Sequence, residues 1–314
     1  MELLPVKQIA SPVILRKSRD SFLRANTVSI EADRLKADCI IPSFAKDNES
    51  TISHSQFIEA VHETASQFFA GETILEPAVR VSHTIKGRIP EAMGKPAKML
   101  TDDEKTVYCE RMAFVIEIPG IHDSINGNDL NLVIGGVRAY NHENLYAKKT
   151  AERFKVFIGF QVQVCCNLCV WTDGIKADLR VRTLHELAGE VFKMLTDYQP
   201  LEQIRFLKDL SNYSLTESQF AKLIGRLRMY PFLPTSIRKS IPELLLTDSQ
   251  ISSVVRGFYE DENFQKDSSG EVGLWQLFNL FTEASKGLYI DRYLARNQCF
   301  IVYLGSSKRL KAAF

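Results

Sequence analysis

The sequence predicts an α+β fold: a three-stranded or larger, mainly antiparallel sheet in the N-terminal half, packed by helices, and then a helical C-terminal third. Three observations predict it. Between residues 107 and 164, apolar residues recur at every second position in three successive runs, the period of strands. From Arg182 onward they recur every three or four residues, the period of helices. Strands first and helices afterwards is the segregated order of α+β chains rather than the alternation of parallel α/β folds. The expected organisation is an extended N-terminal segment over 1–50, an α+β sheet core over 51–199, and a helical region over 200–314 packed on that core.

The elements follow in order. Over 55–69, Phe57, Ile58, Val61, Ala65 and Phe68 fall on one helical face, with Ser53 or Ser55 as cap and Gly71 as the stop. Residues 76–100 carry Pro77, Pro90 and Pro96 and read as strand and loop, because proline and glycine interrupt any helix there. The three strands run over 107–118, 130–140 and 154–164. The first presents Met112, Phe114, Ile116 and Ile118; the second Leu130, Leu132 and Ile134; the third Phe154, Val156, Ile158, Phe160, Val162 and Val164. The first two are joined by the Pro/Gly/Asn/Asp-rich 119–130, read as an irregular turn between antiparallel partners. Gly135-Gly136 suggests a bulge, or a close approach by another backbone or a ligand. Thr183 and Glu186 form a capping box ahead of Leu184, Leu187, Val191 and Leu195. Further helices are expected over 201–210, 216–228, 248–259 and 272–285.

Composition narrows the function classes. The chain of 314 residues is 45% hydrophobic and 25% charged, and 39 Lys+Arg against 38 Asp+Glu give +1, which excludes bulk disorder and a global pull toward polyanions. Any basic surface is local. The first twenty residues lack the apolar stretch of a signal peptide, and the most apolar run, 154–171, is interrupted by Lys155, Gln161, Gln163 and Asn167. A cytoplasmic protein with no membrane partner is expected, its six cysteines reduced.

Catalytic motifs come close and fail. Cys165, Cys166 and Cys169 have zinc-like spacing, but no second Cys/His pair completes four ligands, so buried thiols are the plainer reading. His185-Glu186 opens like a zinc-protease helix, yet Gly189 stands where the second histidine belongs. Residues 87–96 resemble a phosphate loop with the wrong interval between glycines. The 216–228 helix has the small-residue spacing of a helix-turn-helix, but Pro231 and Pro234 break the segment that would read DNA. No cofactor is expected. Glu110, Glu117, His83, His142 and Cys166 are scattered candidates for catalysis, and no spacing forces any two together.

The most suggestive polar feature lies between the second and third strands. Arg138, Tyr140, Lys148, Lys149, Arg153 and Lys155, with Tyr146 among them, combine cations and aromatics as single-strand binders do. A second basic stretch holds Arg80, Lys86 and Arg88, followed by Lys95 and Lys98. The alternative is a solvated loop and an outward strand face. If the two stretches share a face, the binding reading gains.

Several segments together resemble one family: 39–58, 80–92, 108–120, 125–149, 155–174, 215–234 and 274–294, among them KVFIGFQVQVCCNLCVWTDG and LWQLFNLFTEASKGLYIDRYL. The chain is similar to the bacterial domain of unknown function 3871 family, found on mobile elements. Two blocks, Val164/Cys166/Asn167/Leu168 and Trp275/Asn279/Thr282/Glu283, also resemble the broader phage/plasmid-like protein family. The resemblance implies a bacterial, mobile-element setting and no catalytic residues. Glu283-Ala284-Ser285-Lys286 departs from the Gly-Ala-Asn-Lys type of sequence usual there. By analogy of fold alone, β-β-β-α followed by helices is also the build of single-strand annealing proteins. The expected function is therefore a mobile-element accessory protein that binds single-stranded DNA or RNA through 138–155. A module binding host or self proteins through the Pro-rich 77–96 stretch is the alternative, and an enzyme of unassigned class the third.

Overall fold

A computed structural model describes residues 22–24, 27–38, 51–92, 94–140, 151–163, 165–170, 174–239, 246–260, 270–287, 290 and 294. Its centre is an antiparallel sheet built on three long neighbours: β5 (Arg111–Ile125), β6 (Asn128–Ala139) and β7 (Glu152–Val162). Outside β5 lie β2 (Ala78–Val81) and then β1 (Val28–Ile30); outside β7 lie β8 (Leu168–Cys169) and β9 (Ile175–Val181), each pairing with a different part of it. β3 (Thr84–Arg88) and β4 (Lys105–Cys109) form a separate two-stranded ribbon, so the run expected as one strand from 107 is two, divided at Glu110.

The segment between the first two long strands is itself strand. β5 continues to Ile125 and turns through Asn126 and Gly127, both at positive φ (49° and 75°), the signature of a two-residue primed hairpin turn. Pro119 and Gly120 are absorbed by a register shift between Ile118 and His122. The bulge is therefore there and not at Gly135-Gly136, where register is continuous. Those glycines serve the close approach instead. A Cβ on Gly136 would meet the Phe57 and Phe114 rings at 2.4 and 2.8 Å, and one on Gly135 the Phe114 carbonyl oxygen at 2.3 Å.

Alternation gives the sheet two apolar faces. Met112, Phe114, Ile116, Leu132, Ile134, Phe154, Val156, Ile158 and Phe160 point to one, where α2 (His54–Phe68) and α3 (Leu184–Asp197) lie side by side. Phe57 of α2 sits against Phe114 and Phe154 at 5.2 and 4.7 Å between ring centroids. Ser53 caps α2 through a reciprocal box with Gln56. Thr183 caps α3, while Glu186 reaches past it to the Arg182 N–H at 2.7 Å. The other face carries Ala113, Val115, Val133, Val137 and Phe157, packed with Phe22, Leu23, Ile290 and Leu294. Within the stretch expected as extended, 1–50, the chain thus contributes an edge strand and the helix α1 (Ala32–Asp38).

The C-terminal helices are α4 (Pro200–Leu210), α5 (Glu217–Met229), the short α6 (Thr235–Arg238), α7 (Asp248–Glu260) and α8 (Leu274–Ser285). The two-residue β10 (Ser214–Leu215) and β11 (Val272–Gly273) tie the start of α5 to that of α8. Phe220 and Phe258 stack at 4.0 Å between α5 and α7, and Trp275 and Phe278 bury the inner face of α8. Strand-rich and helix-rich parts share one apolar core, which makes the α+β assignment direct. Among the described residues, no helix is long and apolar enough to cross a membrane.

Candidate nucleic-acid interface

The parity of β7 sorts its charges. Phe154, Val156 and Ile158 face the α2/α3 side, so Arg153 and Lys155 face the other, and antiparallel pairing sets Arg153 directly opposite Arg180 of β9. Two like charges in directly opposed positions destabilise a sheet unless something compensates them. Asp178 does so in part. Its Oδ2 accepts from Arg180 Nε and Nη2 at 3.0 and 2.8 Å, and its Oδ1 lies 3.9 Å from Arg153 Nε. The Arg180 hydrogen bonds, with Arg153 and Lys155 adding their fields, hold the Asp178 carboxyl below its ordinary range. The same bond raises the Arg180 guanidinium. Both arginines remain about half exposed, and exposed Arg182 follows Arg180 two positions on. This corner therefore gathers Arg153, Lys155 and Arg180 around Asp178, with exposed Arg182 further along the chain.

The other expected contacts disperse. Arg138 and Tyr140 are corrected outright: both are buried, Arg138 completely, and neither can meet a phosphate without unfolding β6. The Arg138 guanidinium pairs with Glu152, donates to the Ile52 carbonyl, and lies 4.5 Å from the centroids of the Tyr140 and Phe154 rings. Arg80 lies in one cross-strand row with Lys155, through Ala113 and Val137, and so shares its face. Three strand spacings, about 14 Å, part the two, and Arg80 is already engaged, donating to the Thr27 hydroxyl and carbonyl at 2.7 Å each. Lys86 and Arg88 sit on the β3–β4 ribbon beside Val107 and Lys105, and Arg88 donates to the Lys95 carbonyl. The second basic stretch is thus divided, with Arg80 on the main sheet and Lys86 and Arg88 on the ribbon. Lys148, Lys149 and Tyr146 fall outside the described residues, in the connection from β6 to β7.

Arg180 and Arg182 were missed because β9 was not anticipated. Their signal is the alternation Asp178-Leu179-Arg180-Val181-Arg182, five residues long and broken upstream by the register shift opposite Lys155.

Of the residues considered for catalysis, His83 and Glu110 lie across from each other, where the β2–β5 pairing (Val81 with Met112) passes into the β3–β4 pairing (Thr84 with Cys109). Glu110 pairs with Arg111 at 3.2 Å, Glu117 accepts from Asn131 at 2.5 Å, and His83 is exposed; His142 lies outside the described residues. Among the described residues, no three His, Cys, Asp or Glu side chains are gathered for a metal. Burial pushes the Cys165 thiol up and the Cys169 thiol well up, which disfavours the thiolate a nucleophile or ligand needs. The turn at 165–167, with Cys166 at φ 55°, has a packing task. Asn167 donates at 3.2 Å to both the carbonyl and the side-chain oxygen of Asn279 on α8. Fully buried Lys286 donates to the Cys165 carbonyl and pairs with Glu283 at 2.8 Å, and Arg24 pairs with Glu283 as well. The two sequence blocks at 164–168 and 275–283 therefore meet as a polar lock between a strand end and a helix.

Fold and corner together define an α+β protein with a cationic edge on one face of its sheet. The chain belongs to the family described as "Domain of unknown function, B. Theta Gene description (DUF3871)", which it matches over residues 5–310. No curated protein and no solved structure matches it.

Proposed function

We propose that this protein is a cytoplasmic nucleic-acid-binding accessory factor of a mobile element, contacting phosphates through the corner of β7 and β9. The observation that carries the reading is Arg153 facing Arg180 across the strands with Asp178 as their shared carboxylate. Like charges held opposite each other cost stability, and an anionic ligand is the natural source of compensation. In the chain, Tyr146, Lys148 and Lys149 come shortly before Arg153, the first cation of β7.

The mode is electrostatic, so affinity falls with salt. Fluorescence anisotropy of a labelled oligonucleotide across a salt series tests it. Wild type should bind at low salt with a linear log–log salt dependence, and Arg153→Ala with Arg180→Ala should weaken binding and reduce that slope by about 2. No binding at low salt, or an unchanged slope in the double variant, refutes the proposal.

A further inference from the structure

The described residue with the most exposed large hydrophobic side chain lies among the C-terminal helices. Phe232 is 87% exposed, in a short 3₁₀ turn (Tyr230–Phe232) off the C-terminus of α5, with Met229 before it 60% and Ile237 after it 47% exposed. Exposed apolar side chains gathered in one place mark an interaction site more often than those scattered singly. The turn is stiff: Pro231 and Pro234 bracket the ring with fixed φ, Leu233 N–H donates to the Tyr230 carbonyl at 3.2 Å, and Ile237 N–H to the Pro234 carbonyl at 3.0 Å. The backbone that carries the ring is therefore held in place.

The segment that carries the ring is rich in cations, one of them paired with Asp248. Residues 218–239 carry Lys222, Arg226, Arg228, Arg238 and Lys239 and no carboxylate. Arg228 is committed to Asp248 at 3.0 Å and Ser252 at 2.9 Å. The buried face of α5 is Phe220, Leu223, Ile224 and Leu227, which leaves Lys222, Arg226 and Met229 in line along its exposed face, leading to the turn. Cations beside an exposed aromatic are the two parts of a single-strand contact: the charges meet phosphates and the ring stacks on a base.

We propose that Phe232 is a stacking platform for an unpaired base and makes the protein select single strands over duplex. This rests on the nucleic-acid reading above and adds what that corner lacks. Arg153, Lys155, Arg180 and Arg182 attract any phosphate backbone alike, whereas a ring can stack only on a base whose face is free. A lipid surface fits less well. Three side chains, two of them roughly half exposed, offer less hydrocarbon than one acyl chain, which by itself gives marginal binding.

The test is anisotropy with labelled oligothymidylate and a labelled duplex of equal length, on the whole chain. Phe232→Ala should weaken single-strand binding about 5- to 150-fold, the range that 1–3 kcal/mol per stacked base implies, and leave duplex binding unchanged. Phe232→Tyr should restore the preference and Phe232→Leu should not, which separates stacking from mere apolarity. Circular dichroism of each variant should match wild type, since the ring packs on little. Equal losses on both ligands, no loss at all, or full function in Phe232→Leu overturn the platform while leaving the β7–β9 proposal standing. Co-sedimentation with phosphatidylglycerol vesicles that disappears in Phe232→Ala, with oligonucleotide binding intact, also overturns it and assigns the turn to lipid. A wild type that binds neither oligonucleotide overturns both proposals.

Discussion

Arg138 and Glu152 form an ion pair in the interior, joining β6 to β7 and both to the entry of α2, where Glu152 accepts from the Ile52 N–H at 3.2 Å and Arg138 donates to the Ile52 carbonyl. Each charge has hydrogen bonds beyond its partner, the condition under which a buried pair is tolerated. Removing one member strands the other. Arg138→Ala should lose about 3–5 kcal/mol of unfolding free energy, read by urea denaturation, and Arg138→Met with Glu152→Gln should recover part of it. A loss below about 1 kcal/mol would mean that solvent reaches the pair.

That pair also shows where the sequence was legible and where the reading stopped early. The period-two run Leu130, Leu132, Ile134 continues through Gly136 to Arg138, and the run from Val162 back to Phe154 continues to Glu152. The same rule that placed the apolar residues inside places these two charges inside. Grouping residues by charge along the chain, without following strand parity to its end, put Arg138 on a binding surface. Elements with sustained periodicity and local caps, such as α2, β7 and α5, are written in their own residues. β9 and the 119–125 part of β5 are not, because a register shift breaks the alternation of each and only the neighbouring strand defines their path.

His54 opens α2 with its ring 4.5 Å from that of Tyr140, and its Nε2–H donates to the Cys109 carbonyl at 2.8 Å. Burial, with the Arg138 charge beside it, lowers its pKa to about 3. Below about pH 6.5 the unfolded chain takes up a proton that the folded chain refuses. Stability from this group is complete above 6.5 and declines as pH falls toward 3, by up to about 1.4 kcal/mol per unit. The depressed carboxylates Asp102, Glu104, Asp178 and Glu190 act in the same direction but lower, below about 4.5. Between pH 4.5 and 6.5, His54→Gln should therefore flatten the pH dependence of the urea midpoint; equal slopes for both proteins would contradict a buried neutral ring.

Gly135 and Gly136 predict a graded pair of defects. At Gly136 the atoms in the way are ring carbons of Phe57 and Phe114, which can tilt; at Gly135 the nearest is the Phe114 carbonyl oxygen, part of the sheet backbone. Gly136→Ala should cost about 1–3 kcal/mol, the usual range for overpacking, and Gly135→Ala more. Thermal melts of the two variants would rank them, and the opposite order would show that the rings are the stiffer obstacle.

Asp178 competes with any phosphate for Arg153 and Arg180, so its removal should help binding where most substitutions harm it. Asp178→Asn keeps the shape and deletes the charge. Oligonucleotide affinity at low salt should rise about 2- to 5-fold, the value of an exposed ion pair no longer opposed, and the salt slope should steepen by about 1. The gain should vanish when Asp178→Asn is combined with Arg180→Ala, because the freed guanidinium is what meets the phosphate. Should Asp178→Asn weaken binding instead, the carboxylate orients the arginines rather than occupying them, and the corner binds its ligand by geometry more than by charge.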